Sequence, residues 1–335
     1  MESRLSKSMI RTGVSQFLLD YFIPILIALG TSIVLFNRAA VLANPNGDMF
    51  YTFHALTDGL ENYYDFATAW KPRIFSNALA ALCVHVSKWI LTKTSIPMVR
   101  DYFDLTIASW TWSWFLATCL SLVIFQKRGS VLYIFGAFTA ISFGYLTRTT
   151  MAIRVFPWDM PALFFFTIFV ILLSQKKYWW IFALLPLGMG FKETVFILCI
   201  SFLFAEYPWK QRLLMAGGSA FLCIIVKISI DLYTHAPVFF TMQTAPNPER
   251  NELIYLFSNL NSYKEILPFF INSGTLLAFY LIPHVEKNIL YLKLISIPFV
   301  LGNLIYGNLI EYRIWFEMIP FALYSLHSAT TTQAL

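Results

Sequence analysis

The chain has 335 residues, of which 58% are hydrophobic and only 13% are charged, and its mean hydropathy is +0.64. These values exclude an ordinary soluble globular protein and indicate an integral membrane protein. The formal net charge of +6 does not indicate nucleic-acid binding, because in a membrane protein such an excess mostly reflects topology.

Apolar runs recur from the N-terminal region to Ala329, so we expect one transmembrane domain over residues 1–335 and no separate soluble domain. The short basic segment before the first run lacks a small-residue cleavage site, which predicts a retained first helix rather than a signal peptide. The cysteines lie within apolar segments, and their spacing fits neither a zinc site nor a disulfide framework. We interpret them as packing residues: Cys83, Cys119, Cys199 and Cys223.

The lengths of the apolar segments predict an all-α polytopic bundle of about ten membrane spans. In chain order these cover 16–36, 103–125, 130–147, 159–175, 178–190, 192–206, 213–231, 265–284, 288–306 and 314–329. Several are short for a full crossing, which is expected of tilted or broken helices. A further apolar segment, 74–93, is predicted to be an interfacial or re-entrant helix within a long outer loop, 37–102.

The distribution of basic residues supports this topology. With 74–93 outside, the inner loops and the N-terminal segment carry 11 Lys/Arg residues against three acids. If 74–93 crossed the membrane, the Lys127-Arg128 and Lys176-Lys177 loops would move outside, against the positive-inside tendency. We therefore predict a multi-pass plasma (inner) membrane protein with both termini in the cytoplasm. Most of the remaining charge then lies on the extracytoplasmic face.

The first outer loop contains Asp48, which follows a turn signal and precedes an aromatic run. Two interpretations stay open: a helix cap, or a carboxylate at the lipid–water boundary that takes a proton as general base. Asp58, Glu61 and Asp65 are more typical of a solvated helix face. Lys71 and Arg73 border an interface, where basic side chains are common.

A second outer cluster contains Arg148, Arg154 and Asp159, and the last of these precedes Met160-Pro161. Asp159 suits the N-cap or the first turn of a helix, with the proline near the helix start. The two arginines are either plain flanking charges or ligands for phosphate oxygens, which a guanidinium group binds well.

Lys192 and Glu193 are adjacent charges inside an apolar stretch, directly after Pro186, Gly188 and Gly190. An ionisable pair at membrane depth costs several kcal/mol unless it faces a partner or an aqueous cavity. The preceding proline and glycines predict a broken helix, which a membrane tolerates where the backbone lines a cavity. The pair either neutralises itself, or Lys192 faces an anionic group while Glu193 orients it.

A last cluster, at the entry of the final span, contains Glu311, Arg313 and Glu317. Arg313 and Glu317 are four residues apart and would satisfy each other on one helix face. Alternatively, Arg313 lies at the outer interface, where the phosphate of a lipid would be found. We expect Lys192 and Arg313 to approach the same outer cavity.

These residues form a pattern that resembles the polytopic GT-C-type glycosyltransferases. An acid in the first outer loop is followed by Lys71-Pro-Arg73-Ile, where aminoarabinose and protein O-mannosyl transferases carry a Lys/His-Pro-Pro segment. The segments Phe191-Lys-Glu-Thr194 and Glu311-Tyr-Arg-Ile-Trp-Phe-Glu317 are similar to elements of GT-C-like bacterial membrane proteins.

The resemblance implies a GT-C-like bundle, a sugar donor linked to polyprenyl phosphate and an inverting transfer on the outer leaflet, with Asp48 as the base. We expect the donor phosphate to contact Lys192, Arg313, Arg154 and Arg148. Supporting roles are expected for Glu193, Asp159, Glu311, Lys71 and Arg73. No cofactor is assigned; a divalent metal stays an open option, although the sequence has no motif for one.

Two other classes of function remain as alternatives. A transporter or flippase of lipid-linked glycans would also need a basic cavity, but typically shows paired broken helices in two repeated halves. A non-catalytic membrane subunit of a larger complex would make Asp48 dispensable. The partners predicted in every case are lipids, and no nucleic acid is expected.

Overall fold

The computed structural model describes residues 15–42, 73–96, 99, 101–146, 158–234, 278–282, 287–306 and 315–333. All regular secondary structure within these ranges is helical, in agreement with the predicted all-α class. The α-helices are α1 Ile23–Leu42, α2 Ile74–Leu91, α3 Tyr102–Gln126, α4 Ser130–Leu146, α5 Asp159–Ser174, α6 Tyr178–Met189, α7 Trp209–Tyr233, α8 Lys287–Tyr306 and α9 Met318–Gln333.

Three segments depart from α-helical geometry. A π-helical turn, Leu18–Phe22, leads directly into α1, and a short 3₁₀ turn, Lys127–Gly129, joins α3 to α4. Between α6 and α7 the chain forms a 3₁₀ helix of 12 residues, Glu193–Phe204. Runs of 3₁₀ helix longer than three or four residues are uncommon and often mark functional segments.

The helices are apolar enough to identify a membrane protein. Four are both long and apolar enough for a membrane span: Ser15–Ala40, Ile74–Leu91, Tyr102–Gln126 and Trp209–Tyr233. Shorter apolar helices cover Ser130–Ser142, Asp159–Ser174, Tyr178–Met189 and Glu193–Phe204. Each predicted span except 265–284 coincides with a helix to within a few residues, and of that segment only 278–282 is described. The total of about ten spans stays a prediction.

The first basic loops of the sequence lie together at one end of the bundle. The Lys127 amine is 6.0 Å from the ring centre of Tyr21, in the π-helical turn. The Lys177 amine is 5.9 Å from the ring centre of Phe125, in the last turn of α3. The beginning of the first helix and these two loops therefore share one end of the bundle, which we call the basic end.

Later turns reach the same basic end. Lys176 and Glu206 form an exposed ion pair with 2.7 Å between Nζ and Oε2, and this hydrogen bond lowers the pKa of the Glu206 carboxyl. The rings of Phe204 and Tyr291 stack with 5.0 Å between centroids, which brings the start of α8 to this end. The described basic loops thus share one end, as the alternation of the predicted spans requires.

Helix α2 lies in the half of the bundle that is away from the basic end. The Lys88 amine is 4.8 Å from the ring centre of Tyr102, at the start of α3, and the Cys83 thiol is 3.8 Å from the carbonyl of Thr106. Arg73, at the beginning of α2, reaches the start of the 3₁₀ helix. Although α2 is long and apolar enough to span, this placement suits the predicted interfacial or re-entrant helix.

Buried aromatic rings hold α5 beside α9. The ring centroids of Phe166 and Phe169 on α5 lie 5.8 Å and 6.2 Å from that of Phe321 on α9. Burying each such side chain contributes about 1.5–3 kcal/mol. The contact sets the two helices in parallel, so that Asp159 at the start of α5 comes level with Glu317 just before α9.

The cysteine thiols are free, and those on α3, the 3₁₀ helix and α7 are buried. The Sγ atoms of Cys199 and Cys223 lie 3.9 Å apart, where the 3₁₀ helix contacts α7. Cys119 is fully buried on α3. These positions agree with the interpretation of the cysteines as packing residues.

The opposite placement of the two bundle ends predicts a labelling pattern. In a background with the native cysteines replaced by serine, Thr94→Cys and Lys127→Cys each add one exposed thiol. We expect a membrane-impermeant maleimide added to intact cells to label position 94 and not position 127, because basic loops stay in the cytosol. Labelling of position 127 alone would reverse the orientation, and equal labelling of both would contradict the opposite ends.

Candidate functional site

The predicted break before Lys192 is present. Helix α6 contains Pro186 in its interior and ends at Met189, and the 3₁₀ helix begins at Glu193. Lys192 between them has an extended backbone, with φ −160° and ψ 133°. The break therefore turns two consecutive side chains, Lys192 and Glu193, toward different neighbours.

Glycine at the break allows α2 to approach the backbone closely. A Cβ atom on Gly190 would lie 2.2 Å from Cδ2 of Phe75, well inside van der Waals contact. The Phe75 amide donates to the Gly190 carbonyl at 3.0 Å, and the Ser76 hydroxyl donates to the Phe191 carbonyl at 3.2 Å. These bonds satisfy carbonyls that the broken helix leaves without intrahelical partners, a need that is acute at membrane depth.

The Lys192 ammonium is buried between two carboxylates. Its Nζ atom lies 2.6 Å from Oε1 of Glu317 and 3.5 Å from Oδ1 of Asp159, and both acidic side chains are fully buried. Lys192 thus pairs with residues from α5 and from the entry of α9. The self-neutralising Lys192–Glu193 pair is not what the structure shows.

Glu193 pairs instead with Arg73. The Arg73 Nε atom donates to Oε2 of Glu193 at 3.0 Å, and the two side chains keep 19% and 17% of their exposure. The Arg73 guanidinium also lies over the Trp158 ring, 4.1 Å from its centre. A carboxylate and an aromatic face therefore fix the orientation of this guanidinium group.

Glu317 is a site residue that the sequence interpretation missed. Its Oε1 atom accepts hydrogen bonds from Lys192 and, at 3.0 Å, from the Thr194 hydroxyl. Its Oε2 atom is buried and has no hydrogen-bond partner. The sequence offered Glu317 only as a helix-face partner of Arg313, and its own charge inside an apolar span was the available signal.

Asp159 is the first residue of α5, as its sequence context predicted. The N-cap position is taken by Trp158, which makes no side-chain capping hydrogen bond, and Pro161 follows in the first turn. The carboxylate nevertheless forms the ion pair with Lys192, so its first-turn position and its place in the site coexist.

A second pair of charges adjoins the site from α7. Lys227 donates to both carboxylate oxygens of Asp231, with 2.7 Å between Nζ and Oδ2. Lys227 is also close enough to Glu193 to interact with it electrostatically. The spacing of four residues on one helix face makes this pair recognisable from the sequence, but the sequence does not place it at the break.

The charge cluster lies near the middle of the bundle. The Phe191 ring is 5.7 Å from the ring of Trp114, which is the midpoint of α3, and 4.7 Å from that of Phe165. If α3 spans the membrane, these charges lie near mid-depth. Ionisable groups at that level are costly, and they indicate a functional site by default.

Four segments of the chain deliver the predicted residues to one place. The structure brings together Arg73, Asp159, Lys192 and Glu193, all of which had been assigned to the site. The remaining predicted residues lie outside the described ranges: Asp48, Lys71, Arg148, Arg154, Glu311 and Arg313. Among the described residues, no group of three or more His, Cys, Asp or Glu side chains is arranged to hold a metal ion.

A separate cavity lies between α3, α4, α5 and α9. It encloses about 350 Å³ of space, and its lining is almost entirely apolar. Leu163, one turn after Asp159, and Ile319, two residues after Glu317, line its nearer side. None of the charged residues of the site lines it, so the cavity adjoins the cluster without containing it.

Comparisons of the chain with protein-family models, with curated proteins and with solved structures found no match.

The close contact at Gly190 predicts a large effect of one methyl group. Gly190→Ala would force Phe75 and α2 away from the break, and overpacking of this kind costs about 1–3 kcal/mol. Gly217→Ala on α7 is the matched control, because its Cβ would meet nothing within 4 Å. We expect Gly190→Ala to lower the unfolding temperature in detergent and Gly217→Ala to leave it unchanged or raise it. Equal temperatures for the two variants would contradict the close docking of α2.

Proposed function

We propose that the protein is a membrane glycosyltransferase that moves a sugar from a polyprenyl-phosphate donor to an acceptor on the extracytoplasmic side. The observation that carries the proposal is the convergence of Arg73, Asp159, Lys192, Glu193 and Glu317 from distant chain segments. These are the segments on which the resemblance to GT-C-type enzymes rests. The convergence gives those short motifs a common location.

The side of the membrane follows from the two bundle ends. The cluster lies away from the basic end, where Lys127 and Lys177 are found. Basic loops favour the cytosol, so the site opens toward the extracytoplasmic face of the plasma membrane, and both termini are cytoplasmic. A polyprenyl-phosphate donor in the outer leaflet would approach from within the bilayer.

Arg73 is the best-prepared group for the donor phosphate. Its Nε atom is bound by Glu193, its plane lies on Trp158, and 19% of the side chain is exposed. Its two terminal nitrogens have no hydrogen-bond partner among the described residues. Such an oriented pair of N–H donors matches two phosphate oxygens, and a guanidinium group keeps its charge at any physiological pH.

Lys192 takes a different part from the one its sequence suggested. It was expected to bind the phosphate directly, together with Arg148, Arg154 and Arg313, but two buried carboxylates already neutralise it. A direct contact would require displacing one of them. We therefore assign Lys192 to positioning Asp159 and Glu317, and keep the arginines as further phosphate ligands.

In the proposed reaction, Asp48 takes the proton of an acceptor hydroxyl. The acceptor oxygen then forms a bond to the anomeric carbon as the bond from that carbon to the phosphate oxygen breaks, which inverts the anomeric configuration. The electron pair leaves with the polyprenyl phosphate. Arg73 would stabilise this developing charge, and fixed charges of this kind are often the largest contribution to catalysis.

A transporter of lipid-linked glycans is the second candidate. The break between α6 and the 3₁₀ helix, near mid-depth and beside ionisable groups, is the observation that favours it. Such transporters pair one broken helix with another, whereas α8 continues as a helix through Pro298. A transporter moves the intact donor across a bilayer, while a transferase releases free polyprenyl phosphate.

Substitution of Asp48 separates these functions. Asp48→Asn keeps the shape of the side chain but removes its basicity, so transfer from a polyprenyl-phosphate sugar should fall by about two to four orders of magnitude. Asp65→Asn, at an acid interpreted as solvated, should have little effect. Release of polyprenyl phosphate by the purified protein in liposomes gives the rate.

Full transfer by the Asp48→Asn variant would remove Asp48 as the base. Translocation of intact donor with no release of polyprenyl phosphate would favour the transporter. If the wild-type protein neither transfers nor translocates the donor, a non-catalytic subunit of a larger complex becomes the better description.

A further inference from the structure

Glu317 presents one carboxylate oxygen that the protein itself does not use. The residue is fully buried, and both printed donors, Lys192 and Thr194, bind Oε1. The Oε2 atom is left without a partner. Buried polar atoms without a partner are rare in folded proteins, and a ligand or a catalytic role is a usual explanation.

The two donors on Oε1 also fix the direction in which Oε2 points. Lys192 is held in turn by Asp159, and Thr194 is fixed in the first turn of the 3₁₀ helix. An ionised carboxylate oxygen only accepts hydrogen bonds. Its complement is therefore a hydroxyl or another donor, whereas a phosphate would be repelled.

The site thus has two poles of opposite preference. The Arg73 guanidinium, which contacts Glu193, suits an anion, and Glu317 Oε2, which adjoins Lys192, suits a hydroxyl donor. Glu193 and Lys192 are consecutive, so their Cα atoms are about 3.8 Å apart. A ligand that joins an anionic group directly to a polyhydroxyl group would meet both poles at once.

We propose that Glu317 Oε2 accepts a hydrogen bond from a hydroxyl of the donor sugar, while Arg73 binds the phosphate to which that sugar is attached. The inference rests on the proposed function and assigns the two halves of its substrate to separate residues. The ligand class is a glycosyl phosphate. Thr194 is a positioning residue, because it acts on the ligand through Glu317.

Binding to nanodisc-embedded protein tests this division. The probes are polyprenyl phosphate without a sugar and the same lipid phosphate bearing mannose, glucose or galactose, and tryptophan fluorescence follows their binding. We expect at least one sugar to tighten wild-type binding about tenfold or more over the bare lipid, as a hydrogen bond to a charged group allows. The ratio of the two affinities is the readout, since a general structural defect weakens both.

Two variants should affect this ratio differently. Glu317→Gln should bring it to near one while the bare lipid phosphate still binds, whereas Arg73→Gln should weaken both lipids and keep the ratio. Ser325→Ala, which removes another buried hydroxyl without a partner from α9, is the matched control and should change neither. If Glu317→Gln does not fold, Thr194→Val gives the second test and should reduce the ratio several-fold.

Each outcome decides one of the two claims. An unchanged ratio in Glu317→Gln, or in Thr194→Val where the former does not fold, overturns the assignment of Glu317 and leaves the proposed function standing. A wild-type protein that binds the bare lipid but prefers none of the three sugars also overturns it. If none of the lipid phosphates binds the wild-type protein, the proposed function fails, and the inference fails with it.

Discussion

The ammonium group of Lys192 is buried between carboxylates that belong to two other segments of the chain. Asp159 begins α5 and Glu317 precedes α9, and both side chains are fully buried. Removing one partner from a buried ion pair typically costs about 3–5 kcal/mol, because the other charge is left uncompensated. The relative position of these three segments therefore depends on Lys192, and so does the direction of the remaining Glu317 oxygen.

The broken helix explains how Lys192 comes to this place. In a continuous helix, consecutive residues point about 100° apart around one axis, but the extended backbone at Lys192 separates its partners from those of Glu193. Gly190 lets α2 approach, and Phe75 and Ser76 bind the carbonyls that the break exposes. The same docking brings Arg73 to Glu193, so one interruption of the helix produces both poles of the site.

Much of this organisation is readable from the sequence, because charges and helix breakers are rare in an apolar chain. The composition predicted the helical class, and the glycines before Lys192 predicted the break. The pairing was not predictable, since Lys192 meets a residue 33 positions away and Thr194 meets one 123 positions away. Glu317 was overlooked because a charge four residues from Arg313 suggests a local helix pair, and only tertiary packing shows the longer contact.

The central claim, that Lys192 couples the starts of α5 and α9, is tested most directly by a double-mutant cycle on unfolding free energy. Lys192→Met and Glu317→Gln are measured singly and together in detergent, with Lys176→Met and Glu206→Gln as the exposed comparison pair. We predict a coupling of about 1–3 kcal/mol for the buried pair and less than about 1 kcal/mol for the exposed pair. Additive effects of Lys192→Met and Glu317→Gln would contradict the account, because the two side chains would then not depend on each other.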